Sequence, residues 1–216
     1  ELGIDENTIV IFTSDNGSRL QNQGGSNGDL RGGKGQTWDG GQRVPCIIRW
    51  PGKINEGEET DALATTMDFL PSITNLIGGE LPSKKIDGID MSELFFSNNN
   101  SSKRESFLYY NEDELEAIRY KNWKLHFKKE GKLIYELYDL GNDIGEEVNL
   151  YNENKEIVTE LSSLADDYRK SLGDKFLDIK GEEVRPASRI ANPKPLTEFD
   201  ENHPYMYAEY DKGERG

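Results

Sequence analysis

The sequence predicts an α/β chain made of two folded segments and a tail, and three observations carry that prediction. An unbroken apolar run, Thr8-Ile9-Val10-Ile11-Phe12, stops at Asp15-Asn16-Gly17, as a buried strand does when it runs into a polar loop. Between residues 106 and 138 the apolar positions recur with period two, the period of a sheet with one covered face. From Ile157 to Leu172 the period becomes 3.6, that of a helix able to cover such a sheet. Residues 1–97 therefore read as the C-terminal segment of a large α/β domain. Residues 98–175 read as a small α+β domain with a four-stranded antiparallel sheet and one helix, and residues 176–216 as an extended tail.

Taken in order, Asn7–Thr13 is expected to be a strand buried on both faces, of the kind found in parallel sheets. Nothing precedes it that could supply βα units on either side, so the chain is expected to be a fragment of a longer protein. Ser14–Gly41 is a loop with nine glycines in 28 residues, and loops of that length are often functional. Pro45–Trp50 is a second apolar strand, closed by the turn Pro51-Gly52. Met67–Ile77 fits a helix with Met67, Leu70, Ile73, Leu76 and Ile77 on one face, capped near Asp68, with Pro71 in its first turn and Gly78-Gly79 as its stop. The polar run Ser97–Ser102 reads as a surface boundary. Beyond it, 106–110, 115–120, 123–128 and 133–138 are strand candidates, with Lys129-Glu130-Gly131 as a hairpin turn. After Gly173 the prolines 186, 193, 195 and 204 point to an extended tail, pinned by Tyr205, Tyr207 and Tyr210.

The totals exclude some functions. With 41 acidic and 26 basic residues the net charge is −15, which repels nucleic acid and anionic membranes. No apolar stretch reaches the ~20 residues needed to span a bilayer. The single cysteine, Cys46, excludes an internal disulfide and a cysteine-based zinc site, and its setting in Val-Pro-Cys-Ile-Ile reads as a small buried hydrophobe.

The chemistry concentrates in the glycine-rich loop. Asp15 and Asn16 stand just past the end of a strand, and their oxygens are hard ligands suited to calcium or magnesium. Calcium takes ~6–8 oxygens, so further carboxylates must come from elsewhere. Lys34, set among Gly32, Gly33 and Gly35, can approach a small anion closely, with Arg19, Arg31 and Arg43 adding positive charge. Asp15-Asn16-Gly17 is equally a common turn sequence, and the loop lacks the phosphate-binding P-loop pattern. His126, on the polar face of its strand, and His203, in the tail, are expected to be exposed and structural.

The ordered series "IVIFTSDNG", "GGSNG", "LRGGKGQTWDGGQRVPCIIRWPG" and "MDFLPSITNLIG" resembles the formylglycine-dependent sulfatases of the alkaline-phosphatase-like superfamily. "AIRYKNWKLHF" and "ELYDLGNDIGEEVNL" look like strands of that family's small C-terminal domain, so the resemblance covers roughly residues 6–172. Within the family, "QGGSNG" followed by "GGKGQTWDGG" looks most like the N-acetylgalactosamine-6-sulfatase and arylsulfatase A branch. The resemblance implies the C-terminal portion of an alkaline-phosphatase-like sandwich. It implies that Asp15 and Asn16 are calcium ligands and that Lys34 binds the sulfate of the substrate, with Arg31 beside it. It gives Gly17, Gly40, Gly41 and Pro45 structural roles, and Asp39 a role in loop structure rather than in catalysis. The expected substrate is a sulfated small molecule or glycan, and the expected location is periplasmic, secreted or lysosomal, although no address is encoded.

One departure is informative. The family makes its formylglycine nucleophile in a Cys/Ser-x-Pro-x-Arg motif, and Cys46 is followed by Ile47-Ile48-Arg49 instead. The remaining metal ligands and the catalytic histidines of the family also lie ahead of this region. The chain alone is therefore expected to be inactive, with the rest of the same protein as its partner. Two rivals stand beside this reading: a phosphodiesterase or phosphonate hydrolase of the same superfamily, and a non-catalytic glycan-binding or structural module.

Overall fold

The computed structural model describes residues 2–19, 24–96, 102–186, 189 and 191. Two compact units emerge, Glu1–Val184 and Arg185–Gly216. The tyrosine pins of the tail and His203 lie outside the described residues, as does most of the polar run at 97–102.

The first unit holds two sheets. β1 (Val10–Thr13) pairs antiparallel with β2 (Cys46–Arg49), in a register that sets Thr13 opposite Cys46 and Val10 opposite Arg49. The expected burial of this strand on both faces is not met: Phe12 is 66% exposed and Ile47 on its partner 61%. Among the described residues the ribbon has only two strands, and its alternate positions Ile11, Thr13 and Ile48 are no more than half-buried. Cys46 is likewise exposed, because it sits at the rim of this ribbon rather than in a core.

Thr65 and Asp68 form a reciprocal capping box over a tight turn at Thr66–Asp68, which opens α2 (Phe69–Leu76). Pro71 falls in the first turn, where its missing N–H does no harm. Gly78, at a positive φ, ends it. The apolar face expected to be covered is largely open, with Met67, Leu70 and Ile77 all exposed. What α2 buries is Pro71 and Ser72, the side that faces α3 (Ser92–Phe96) through the Ser72 hydroxyl and the Met91 N–H. Asp68, nearly buried, also takes a two-pronged contact from Arg104.

The second sheet matches its expectation closely. β3 (Ser106–Asn111), β4 (Glu114–Tyr120), β5 (Trp123–Lys129) and β6 (Lys132–Asp139) form an antiparallel meander in that order. Lys129 pairs with Lys132 across the Glu130-Gly131 turn, with both turn residues at positive φ. One face carries Leu115, Leu125 and Leu137 against Val158, Leu161 and Ala165 of α4 (Lys155–Leu172). Gly173 ends that helix, and the chain then folds back on it: Glu182 and Glu183 donate to the carbonyls of Lys170 and Ser171.

The other face departs from the sequence reading. Lys124 and His126 stand opposite the leucine face, yet both are buried, and His126 is fully enclosed rather than exposed; Lys128 is buried as well. The loop at Thr37–Asp39 covers Lys124 and His126, whereas a register shift between His126 and Lys128 leaves Lys128 with Glu114 and Phe176 and brings Lys129 to Thr37.

Candidate functional site

The glycine-rich loop is held by backbone bonds at its two chemically interesting places. Ser18 follows Asp15-Asn16-Gly17 directly, and its carbonyl accepts from the Lys34 N–H at 3.0 Å. Asn27 braces the same spot, accepting from the Ser18 N–H at 2.7 Å and donating to the carbonyls of Ser18 and Gly32. The loop thereby brings the Asp-Asn pair and the lysine together across 18 residues of chain. Asp15 and Lys34 are exposed and Asn16 half-buried. Their side chains have no hydrogen-bond or ion-pair partner among the described residues.

Behind them, glycines allow main chain to press on main chain. The Gly17 N–H donates to the Gly41 carbonyl at 3.0 Å, and a Cβ on Gly17 would lie 1.7 Å from the Gly40 carbonyl oxygen. The Gly40 N–H in turn donates to the Arg31 carbonyl at 2.7 Å. Gly40 and Gly41 belong to α1 (Asp39–Gln42), a single helical turn that is buried except for Gln42.

α1 is fixed to the second sheet by a buried charge cluster. Lys124 of β5 donates to Asp39 Oδ1 at 2.7 Å and to Glu146 Oε1 at 2.9 Å, and all three side chains are at most 1% exposed. Glu146 Oε2 accepts from the Asp39 backbone N–H at 2.7 Å, and Oε1 is also 2.9 Å from His126 Nε2. Tyr109 donates to Asp39 Oδ1 at 3.1 Å. One step along, Thr37 donates to Glu116, which also pairs with Lys129. Trp38 lies between the His126 ring, 4.2 Å away centre to centre, and the Arg31 guanidinium at 3.7 Å.

Burial sets the electrostatics here. It drives the His126 pKa down to about 4, against the pull of the Glu146 carboxylate, so the imidazole is neutral. The Nε2 proton then serves Glu146, and the buried Nδ1, which has no partner, is left as a bare lone pair rather than an orphan N–H. Burial alone would raise Glu146, but His126, Lys124 and the Asp39 N–H outweigh it and hold the carboxyl below its ordinary value. Burial, followed by the Asp39 charge, raises the Tyr109 phenol well above its usual range. With His126 neutral, the acids Asp39, Glu116 and Glu146 meet the bases Lys124 and Lys129, while Arg31 joins from the edge through Tyr138, whose hydroxyl donates to Glu136.

Arg31 is committed to this cluster. Its guanidinium donates to the Glu146 carbonyl at 2.8 Å and to the Tyr138 hydroxyl at 3.2 Å. Sequence reasoning did not single out Lys124 or Glu146, since each occupies a place where a solvated charge is ordinary. Glu146 does carry one unusual mark, a left-handed backbone with φ 52, which is sparsely populated by non-glycine residues and held by its surroundings.

As metal donors, Asp15 and Asn16 offer a carboxylate and an amide oxygen, chemistry that fits part of a calcium shell. Among the described residues no three His, Cys, Asp or Glu side chains gather as a metal-holding group. No helix among them is long and apolar enough to cross a membrane.

Residues 1–79 match the sulfatase family model, and residues 102–189 match the model of the C-terminal region of aryl-sulfatase. Mouse (Mus musculus) steryl-sulfatase is 38% identical over 139 residues, covering 59% of this chain and 22% of that protein. Human (Homo sapiens) arylsulfatase A is 36% identical over 176 residues, covering 69% of this chain and 34% of that protein. The chain thus spans about a fifth to a third of the length of these relatives. BT33336S-sulf, a solved structure connected with the metabolism of multiple glycosaminoglycans by Bacteroides thetaiotaomicron, superposes with a TM-score of 0.66 at 28% identity, over 77% of this chain and 40% of the other. Two family models matched in succession along the chain mark it as a member of the sulfatase family.

Proposed function

We propose that this chain supplies one side of the active site of a sulfate-ester hydrolase acting on a sulfated carbohydrate. In this reading Asp15 and Asn16 are two oxygen ligands of a calcium ion, and Lys34 contacts the sulfate. The observation that carries it is the bond from the Lys34 N–H to the Ser18 carbonyl, which holds a lysine with an uncommitted ammonium beside an uncommitted acid–amide pair. When bound, calcium would neutralise sulfate oxygens as charge develops on them. Lys34 would do the same from the protein side, and Arg31, stacked on Trp38, would be the second substrate-binding charge. No residue of this chain fits the nucleophile. Formylglycine would arise from a motif absent from these 216 residues, so the chain by itself is expected to turn over no ester.

The glycosaminoglycan connection of BT33336S-sulf favours a sugar alcohol as the leaving group. The similarity to a steryl-sulfatase keeps a sterol sulfate in the test panel. The test uses the intact sulfatase that contains this chain, assayed on an aryl sulfate, a sulfated monosaccharide, a sterol sulfate and a phosphodiester. Lys34→Ala is expected to lower kcat/KM for the preferred sulfate about 100-fold or more, the scale of one preorganised charge contact. Asp15→Ala and Asn16→Ala are expected to lower the calcium content measured by atomic spectroscopy. Turnover of Lys34→Ala near that of the unsubstituted enzyme removes the sulfate role. Unchanged calcium in both other variants removes the metal role. A preference for the phosphodiester moves the protein to the rival hydrolase class.

A further inference from the structure

We infer that Lys124 and Glu146, on the small antiparallel sheet, are positioning residues for Lys34, a step that rests on the sulfate-binding role proposed above. Neither reaches the anion site. They act through α1, and the path is made of bonds already described. Lys124 and Glu146 hold Asp39 by its carboxylate and by its backbone N–H, so both ends of that residue are fixed. Gly40 and Gly41, the next two residues, receive or give the backbone bonds that locate Arg31 and Gly17. Lys34 lies three residues beyond Arg31 and is tied by its own N–H to Ser18, the residue after Gly17.

Two features make this path stiff. There is no slack at the glycines: a Cβ on Gly40 would fall 2.3 Å from the Gly32 carbonyl oxygen, and one on Gly41 2.2 Å from that of Gln36. The main chains are already in contact, so a shift of α1 must move the segment that carries Lys34. At the other end, Glu146 keeps a left-handed backbone and gives its carbonyl to Arg31 while its carboxylate holds Asp39. One residue of the sheet domain therefore grips the loop on both flanks of Lys34.

A buried ion pair is a poor way to gain stability, because apolar residues of the same volume serve as well or better. Its distinctive property is direction. Charges in a low-dielectric seam accept one arrangement and penalise others. Here they lie where the glycine-rich loop meets β5, whereas the opposite face of the same sheet is packed with leucines. The consequence is that the small domain sets where the sulfate-binding lysine stands.

A double-mutant cycle in the intact sulfatase tests this. Lys34→Ala, Lys124→Met and the pair are assayed on the preferred sulfate ester, with the folded fraction measured by thermal melting. Lys124→Met is expected to lower kcat/KM about tenfold or more, chiefly through KM, and to weaken inhibition by inorganic sulfate in parallel. In the Lys34→Ala background the same change is expected to have little further effect, within about threefold, because the group it positions is gone. Arg104→Met breaks another buried ion pair, away from the loop, and is expected to lower the melting temperature while leaving kcat/KM of the folded enzyme unchanged. Should Lys124→Met fail to fold, Glu146→Gln keeps the side-chain shape and enters the same cycle. Losses that multiply in the double variant, or a Lys124→Met or Glu146→Gln enzyme within twofold of the parent, overturn the positioning role while leaving the Lys34 assignment intact. A Lys34→Ala enzyme with unchanged turnover overturns that assignment and this inference with it.

Discussion

Gly17 shows how little freedom a single residue has in this loop. It needs no unusual φ; its constraint is space alone, because the Gly40 carbonyl oxygen occupies the place of a side chain. A methyl group there meets backbone rather than a yielding side chain, so relief requires β1 and α1 to separate. Gly17→Ala is expected to destabilise the fold by about 1–3 kcal/mol, the range of overpacking, measured by urea unfolding. It should also break the Gly17–Gly41 hydrogen bond, visible as faster amide exchange at Gly17. Exchange at the parent rate would mean that the backbone accommodates the methyl group after all.

At the scale of elements, the seam between α1 and β5 governs the response to acid. Folding lowers the His126 pKa to about 4 from an ordinary 6.5, so the unfolded chain binds a proton that the folded chain refuses between those values. The stability from a neutral His126 is fully present above pH 6.5 and is lost as the pH falls toward 4. The loss is on the order of 3 kcal/mol by the conversion of one pKa unit to 1.36 kcal/mol. Glu146, whose folded pKa is depressed, acts in the same sense: its contribution is present above its unfolded value and fades as the pH falls through the folded one. Urea midpoints should therefore fall steadily from pH 7 to pH 5, and His126→Phe should flatten that slope; a flat profile in the parent would contradict a buried neutral imidazole. This seam is also where the sequence was least legible. Period two located β3 to β6 to within a residue or so at most ends, since alternation states which residues share a face. It cannot state what covers the face. The burial of Lys124 and His126 was hidden because the covering loop, with the Lys124 partner Asp39, lies more than 80 residues earlier in the chain and leaves no local trace. The Asp15-Asn16 pair and Lys34 stood out in the sequence beside glycines, and the backbone contacts explain why those glycines are there.

For the molecule as a whole, the two sheets differ in how fully they are covered. The four-stranded sheet has a helix on one face and a loop on the other, whereas the β1–β2 ribbon leaves Val10, Phe12 and Ile47 open, and α2 adds Met67, Leu70 and Ile77. Exposed apolar side chains on an uncapped ribbon promote association between copies. The isolated 216-residue chain is expected to self-associate in size-exclusion chromatography and light scattering, and a paired Phe12→Ser, Ile47→Ser variant to do so less; a monodisperse monomer at tens of micromolar would contradict this. The covered half carries a different consequence. Trp38 is one of three tryptophans, and it lies in the seam between a guanidinium and an imidazole, with Asp39 next in sequence. Its indole is only 7% exposed, while Trp50 and Trp123 lie outside the seam. The fold has thus placed a natural fluorophore at the joint between loop and sheet, so its emission is expected to shift when acid or urea opens that joint, without any label being attached.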